Sequence, residues 1–136
     1  MVISIKTATT KKDKGKCFSI RQDVFVKEQN ISKKIEFDDG NVDATYFIAQ
    51  YKNISVGTAR YRLTDFGIKL ERFAILKPYR NLGIGKELVL YILNSIKNEN
   101  LIYLHAQESV INFYSKLGFK RIGRQFFEAE IPHQKM

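Results

Sequence analysis

The stretch Ala74-Ile-Leu-Lys-Pro-Tyr-Arg-Asn-Leu-Gly-Ile-Gly-Lys86 constrains this chain more than any other. It leaves an apolar strand over residues 68–76, turns, and enters a helix through Gly83-Ile-Gly85. Over residues 83–98 the apolar positions Ile84, Leu88, Ile92 and Ile96, joined by Val89 and Leu93, recur at helical period. Leu101-Ile-Tyr-Leu-His105 then reads as a short apolar strand. A strand, a helix and a strand joined by so long a connection predict a β-α-β unit with its two strands parallel. Ligands of such sheets bind beyond the carboxyl ends of the strands, where residues 78–85 fall. Glycines there let the backbone approach a ligand closely. A helix N-terminus offers unpaired N–H groups and partial positive charge, which suit a phosphate. Arg80 and Lys86 flank the turn and add full charges.

The remaining sequence frames this unit. Residues 2–6 alternate as a strand, and residues 12–29 read as a helix carrying Cys17, Phe18, Ile20, Val24, Phe25 and Val26. Residues 31–37 read as a second short helix. Residues 44–52, 55–63 and 68–76 predict three strands with short connections, turning at Asn53 and at Asp65-Phe-Gly67, hence an antiparallel meander. After the β-α-β unit, Val110, Ile111, Tyr114 and Leu117 predict another helix, stopped by Gly118 with apolar Phe119 behind it. Residues 119–121 and 125–131 read as two last strands. With no linker or repeat, the expectation is one domain over residues 1–136: a mixed α/β (α+β) fold, mostly antiparallel, around a central β-α-β unit flanked by helices.

Two familiar phosphate motifs fail here. The nucleotide-hydrolase loop needs Gly-x4-Gly-Lys-Ser/Thr, but Arg80 stands five before Gly85 and Glu87 follows Lys86. The dinucleotide fingerprint needs a third glycine where Leu88 stands, and it belongs after a first strand rather than after a meander. What remains is Arg80-Asn-Leu-Gly83-Ile-Gly85, of the form Arg-x-x-Gly-x-Gly.

With Glu71-Arg-Phe-Ala-Ile75 before that loop and Asn112-Phe-Tyr-Ser-Lys-Leu-Gly-Phe119 after it, the chain resembles the GNAT superfamily of acetyl-CoA-dependent N-acetyltransferases over nearly its whole length. It is also similar to one subgroup of small acyltransferases through Arg21-Gln-Asp-Val-Phe-Val-Lys-Glu-Gln29, Leu104-His-Ala-Gln107 and Glu130-Ile-Pro-His133. The resemblance implies that backbone N–H groups of Leu82, Gly83, Ile84, Gly85 and Lys86 hold the pyrophosphate of coenzyme A, with Arg80 and Asn81 beside it. It implies that the main chain of Phe73, Ala74 and Ile75 pairs with the pantetheine arm, in a gap where the sheet splays. Asn112 and Tyr114 would meet the cofactor from the later helix. An N–H fixed against the thioester oxygen, that of Ile75, would stabilise negative charge as it develops. The side chains of Phe73 and Ile75 read simply as core.

Acetyl transfer to an amine sets three demands. The amine must lose a proton, since an alkyl ammonium has a pKa of roughly 10. Charge on the thioester oxygen must be stabilised, and the thiolate leaving group is helped by an acid. Tyr114 occupies the family's tyrosine position and is the candidate acid; packing in the core is its structural alternative. Glu71, two residues before Phe73, is one candidate base, with a cross-strand ion pair to Arg or Lys as its alternative. Glu28 is the second, with an exposed helix charge as its alternative; a water chain with no single base is the third option. His105, at a strand end, reads more readily as structural. His133 reads as a surface residue or as one that closes the pocket. Two histidines without matched carboxylates, and a single cysteine, offer no metal site.

Composition fits this picture. The chain has 136 residues, 44% hydrophobic and 27% charged, with no run approaching a membrane span, so a cytoplasmic location is expected. Cys17 reads as a buried structural thiol. The formal charge of +9 favours anionic partners, and acetyl-CoA is one. Among acceptors, an amino sugar phosphate, an amino acid, a polyamine or a protein amine are open. Polyamines rank last unless Glu36, Asp38 and Asp39 gather at the pocket mouth. A nucleic-acid-binding domain is the first alternative, but no basic–aromatic alternation of an RNA-binding strand is present. A cofactor-binding sensor without catalysis is the second, against which Tyr114 and Glu71 both stand. A homodimer is left open.

Overall fold

The computed structural model describes residues 2–33, 43–96 and 101–136. The sheet has seven strands in the order β1-β2-β3-β4-β5-β7-β6, with β1 Ile3–Ala8, β2 Thr45–Tyr51, β3 Ile54–Leu63, β4 Ile68–Ile75, β5 Ile102–Gln107, β6 Ile122–Glu128 and β7 Ile131–Lys135. Only β4 and β5 run parallel; the other neighbours are antiparallel. The meander and the β-α-β unit are therefore as the residues predict. Lys52 and Asn53 turn β2 into β3 with φ of 49° and 68°, the left-handed pair that matches the twist of a tight hairpin.

Helix α1 (Lys11–Arg21) packs on one sheet face and α2 (Ile84–Ser95) on the other. Thr10 caps α1, its Oγ1 accepting from the Asp13 N–H at 3.0 Å. Ile84, Leu88, Val89 and Ile92 of α2 are buried against Phe47, Val56, Leu70 and Leu104. At roughly 1.5–3 kcal/mol per fully buried aliphatic side chain, this stripe fixes α2, and with it the turn before it. Beneath α1, Cys17 is fully buried with Ala8, Tyr46 and Ile48, as its structural reading requires.

Helix α3 (Ile111–Lys116) is shorter than its apolar pattern suggests, preceded by a tight turn at Glu108–Val110. It ends as read: Gly118 has φ 99°, its N–H donates to Ser115 O, and the Phe119 N–H donates to Tyr114 O. Those two bonds are the paired closure of a Schellman stop.

Three boundaries differ from expectation. The single helix over residues 12–29 ends at Arg21 and continues as a wider π-type turn, Gln22–Glu28, in which Gln29 N–H bonds Val24 O at 3.0 Å. The extra residue per turn lets the adjacent Val24 and Phe25 both face Ala74. The last strands lie at Ile122–Glu128 and Ile131–Lys135 rather than at residues 119–121 and 125–131. Their hairpin turns on Ala129 and Glu130, at φ 51° and 63°, two residues that carry no turn signal. The short helix at residues 31–37, and Glu36, Asp38 and Asp39, lie outside or largely outside the described residues.

Candidate active site

The parallel pairing of β4 and β5 covers only Ile68↔Ile102, Lys69↔Tyr103 and Leu70↔Leu104. Beyond it the strands part, and β5 pairs with β7 instead, His105 opposite Lys135 and Gln107 opposite His133. The divergence begins where β4 bulges. Thr58 pairs with Ala74 but Arg60 with Glu71, so Arg72 and Phe73 together oppose Ala59. Arg72 takes φ 59°. A bulge twists and bends its strand, which opens the sheet at this point.

A cavity of about 690 Å³ fills the gap. One end is lined by Arg80, Asn81, Gly83, Ile84, Gly85 and Lys86, and its flank by Phe73, Ala74 and Ile75. Here Gly83 caps α2 at φ 87°, a left-handed conformation that glycine holds without cost. A Cβ on Gly83 would meet nothing within 4 Å, so space beside it is open. The Leu76 N–H donates to Val56 O at 2.9 Å, on the β3 side. Strand alternation then turns the Ile75 N–H and carbonyl into the gap. The Ile75 carbonyl accepts from Arg80 Nε at 2.9 Å. Unpaired strand edge, glycine turn and free helix N–H groups fit a phosphorylated arm lying along β4.

Arg80 also grips Glu28, its two terminal nitrogens donating to the two carboxylate oxygens at 2.7 Å each. That hydrogen-bonded guanidinium holds the Glu28 carboxyl below its ordinary range. The bidentate pair joins the turn before α2 to the end of the π-type turn. Leu82 is exposed and stands outside the cavity lining. Asn112 does too: α3 turns Phe113 and Tyr114 inward, and the residue before them faces solvent.

Tyr114 is 6% exposed, lines the cavity, and sits edge-on to Phe73, Phe113 and Phe119. Burial among these rings pushes its phenol pKa up, so the hydroxyl keeps its proton.

The opposite wall is built from side chains. Lys69 and Glu71 of β4, His105 and Gln107 of β5, His133 of β7 and Glu128 at the end of β6 line it. Glu71 is clamped. Its Oε2 accepts from Arg60 Nε at 2.6 Å and Arg62 Nε at 3.0 Å, and Lys69 Nζ lies 3.4 Å from Oε1. Burial alone would raise its pKa, but Arg60, then Lys69, Arg72 and Arg62, hold it below the ordinary value. The cross-strand ion pair is thus present.

Two features of this wall escaped the sequence reading. Gln29 and Gln107 face each other as an amide pair, Gln107 Nε2 donating to Gln29 Oε1 at 2.9 Å. His105 Nδ1 lies 3.3 Å from Glu128 Oε2, and that hydrogen bond leads the effects that lower the Glu128 carboxyl to about 2. His133 is buried rather than on the surface, and it bounds the cavity, its Nδ1 bonding the Ile131 carbonyl at 2.7 Å. The subgroup motifs at Glu28-Gln29, His105-Ala-Gln107 and His133 thus converge on one cavity. Their shared destination was the signal that could have found them.

Residues 8–136 match the family model described as an acetyltransferase (GNAT) domain. The chain belongs to the GNAT family of acetyltransferases, enzymes that use acetyl-CoA as co-substrate and pass its acyl group to an amine. YyaT of Bacillus subtilis (strain 168) is 37% identical over 139 residues, covering 98% of this chain and 94% of that protein. Among solved structures, an acyl-CoA N-acyltransferase from Pseudomonas aeruginosa superposes with a TM-score of 0.84 at 23% identity, covering 98% of this chain and 96% of the other. A GNAT family acetyltransferase from Elizabethkingia anophelis, solved with acetyl-CoA bound, gives 0.71 at 18% identity, covering 98% of this chain and 94% of the other. No helix of the described residues is long and apolar enough to cross a membrane.

Proposed function

We propose that this chain acetylates the primary amine of a small molecule, of amino sugar phosphate or amino acid type, by direct attack with both substrates bound. The observation that carries this reading is continuity. One cavity runs from the N–H groups at the start of α2, along the unpaired edge of β4, to the polar wall of His105, Glu128 and His133. A donor on the first part and an amine on the second would meet beside Tyr114.

In this reading the N–H groups of residues 82–86, with Arg80, Asn81 and Lys86, bind the cofactor phosphates, and the main chain of Phe73, Ala74 and Ile75 aligns its arm. The Ile75 N–H faces the thioester oxygen and favours the charge that grows there. Tyr114, protonated through burial, gives its proton to the departing sulfur. Glu71 and Glu28, each held ionised by guanidinium partners, are weak proton acceptors. We assign Glu71 to holding the bulged strand and Glu28 to fixing Arg80. The proton of the amine goes to His105, the cavity imidazole that is hydrogen-bonded to a carboxylate.

The test is an amine panel with acetyl-CoA, read by release of coenzyme A thiol. The panel holds glucosamine 6-phosphate, the common L-amino acids, putrescine and a short peptide with a free N-terminus. Turnover of one of the first two classes supports the reading. Turnover of the peptide alone moves the acceptor to a protein amine. Silence with tight acetyl-CoA binding replaces the enzyme by a sensor.

A further inference from the structure

Among the described residues three carboxylates line the cavity, and their partners differ in kind. Glu28 is paired to Arg80, and Glu71 to Arg60, Arg62 and Lys69, all of them guanidinium or ammonium groups that only donate. Glu128 is paired to an imidazole, His105. It is the one lining carboxylate, among the described residues, whose direct partner is an imidazole, a ring with one nitrogen that can donate and another that can accept.

Glu128 comes to His105 from a separate element. It ends β6, just before the left-handed Ala129-Glu130 turn, opposite Ile131. The same strand sends Phe126 edge-on to His105, centroids 4.9 Å apart, and stacked on His133 at 6.0 Å. The hairpin thus fixes the ring by packing and one ring nitrogen by a charged acceptor. A carboxylate accepts only, so the proton of a neutral His105 sits on Nδ1 and the lone pair on Nε2. His133 also carries its proton on Nδ1, but its partner is the neutral Ile131 carbonyl. A carbonyl orients an imidazole; a carboxylate also stabilises the imidazolium that forms once a proton is taken.

We propose that Glu128 is a positioning residue of the reaction, holding His105 as the Nδ1–H tautomer and stabilising its protonated form while Nε2 receives the proton of the acceptor amine. This rests on the reading of His105 given above. In the balanced step the acceptor reacts as the neutral amine, its ammonium proton already lost to solvent. Its nitrogen bonds the acyl carbon, the carbon–sulfur bond breaks, the nitrogen's remaining displaced proton passes to Nε2, and the sulfur gains the proton of Tyr114. Solvent then reprotonates Tyr114 and takes the proton from His105. The charged groups around His105 are Lys69 and Glu71 on β4, Glu128 on β6, and His133 and Lys135 on β7. Glu71 is bound by its own cations, and Lys135 lies over the Phe66 and Tyr103 rings, so Glu128 is the direct partner.

The experiment compares pH–rate profiles of kcat/KM for wild type, Glu128→Gln, Glu128→Asp and His105→Gln, using the panel amine turned over fastest, with acetyl-CoA affinity and thermal midpoint measured alongside. Histidine 15N shifts of wild type and Glu128→Leu give the tautomer independently of activity. Glu128→Gln is expected to lower kcat/KM about tenfold, part of the 10²–10⁴ that a positioned base supplies, and to move the acidic limb to lower pH. Glu128→Asp restores the limb toward wild type. Wild type carries the His105 proton on Nδ1, and Glu128→Leu shifts it toward Nε2. Acetyl-CoA affinity stays unchanged throughout. An acidic limb unmoved in Glu128→Gln, while His105→Gln is inactive, overturns the proposal. Wild-type turnover in His105→Gln overturns instead the reading of His105 on which it rests.

Discussion

The two halves of the cavity are made of different material. The donor half is main chain: the bent edge of β4, the turn through Asn81 and Gly83, and the first N–H groups of α2. In the proposed reading its partners are a phosphate and an amide-rich arm, which a backbone can recognise whatever side chains surround it. The proposed acceptor half is side chain: Gln29 beside the π-type turn, Glu71 from β4, His105 and Gln107 from β5, Glu128 from β6 and His133 from β7. In the proposed reading such a wall, the strand-holding Glu71 apart, is open to change for a new amine without disturbing the donor grip. On that reading, backbone grips the donor and side chains choose the amine.

Substitutions sharpen or break that division. The largest effect is expected at Glu71. Glu71→Gln removes the carboxylate to which Arg60, only 3% exposed, donates from Nε at 2.6 Å. About 3 kcal/mol of stability should be lost, the scale for a broken buried pair. Urea denaturation measures it, and an acidic limb that survives in the remaining activity separates this structural role from that of a base.

Next is Tyr114→Phe, which keeps the ring packing and removes the proton. A fall in kcat of about 10- to 100-fold is expected, at the low end for acid catalysis because a thiolate leaves readily. Undiminished turnover would remove Tyr114 from the chemistry. Gly83→Ala, where φ is 87° and no neighbour is crowded, should cost about 1 kcal/mol and weaken acetyl-CoA binding several-fold through the shifted turn. The acceptor KM should not change; if it does, the halves are coupled through Arg80 and Glu28.

The smallest effect is in acid. With its pKa lowered from 4.5 to about 2, Glu128 binds fewer protons folded than unfolded. Its contribution is complete above about pH 4.5 and fades as pH falls toward 2. The stability gap between wild type and Glu128→Gln should therefore close over that window, and high salt should narrow it, since the pair is partly solvated. A gap that persists at pH 2 points to packing instead.

How much of this could be read from residues alone follows the same division. The turn into α2 was legible because its determinants are contiguous: Arg80, Gly83 and Gly85 lie together, and the helix behind them announces itself by period. The meander, Asn53 and the Gly118 stop were legible for the same local reason. The bulge at Arg72 was not, since an arginine at positive φ is held there by its neighbours rather than by its own preference. The last hairpin was misplaced because Ala129 and Glu130 are ordinary residues in a left-handed turn. Glu128 was invisible with it: no spacing joins it to His105, and only the insertion of β7 between β5 and β6 brings the C-terminal hairpin across. The ion pairing of Glu71 was readable only as one alternative, because Arg60 and Arg62 reach it from β3 and Lys69 from its own strand.

One buried side chain bears on how these experiments are read. The single cysteine, Cys17, has no accessible surface, points its sulfur at the Phe47 carbonyl at 3.5 Å, and is kept protonated by burial. A thiol enclosed and uncharged does not react with disulfide reagents. While folded, the enzyme is silent to a thiol-specific dye, so colour in a turnover assay counts coenzyme A alone. When a variant unfolds, it contributes one equivalent of its own, and the same dye becomes a gauge of stability.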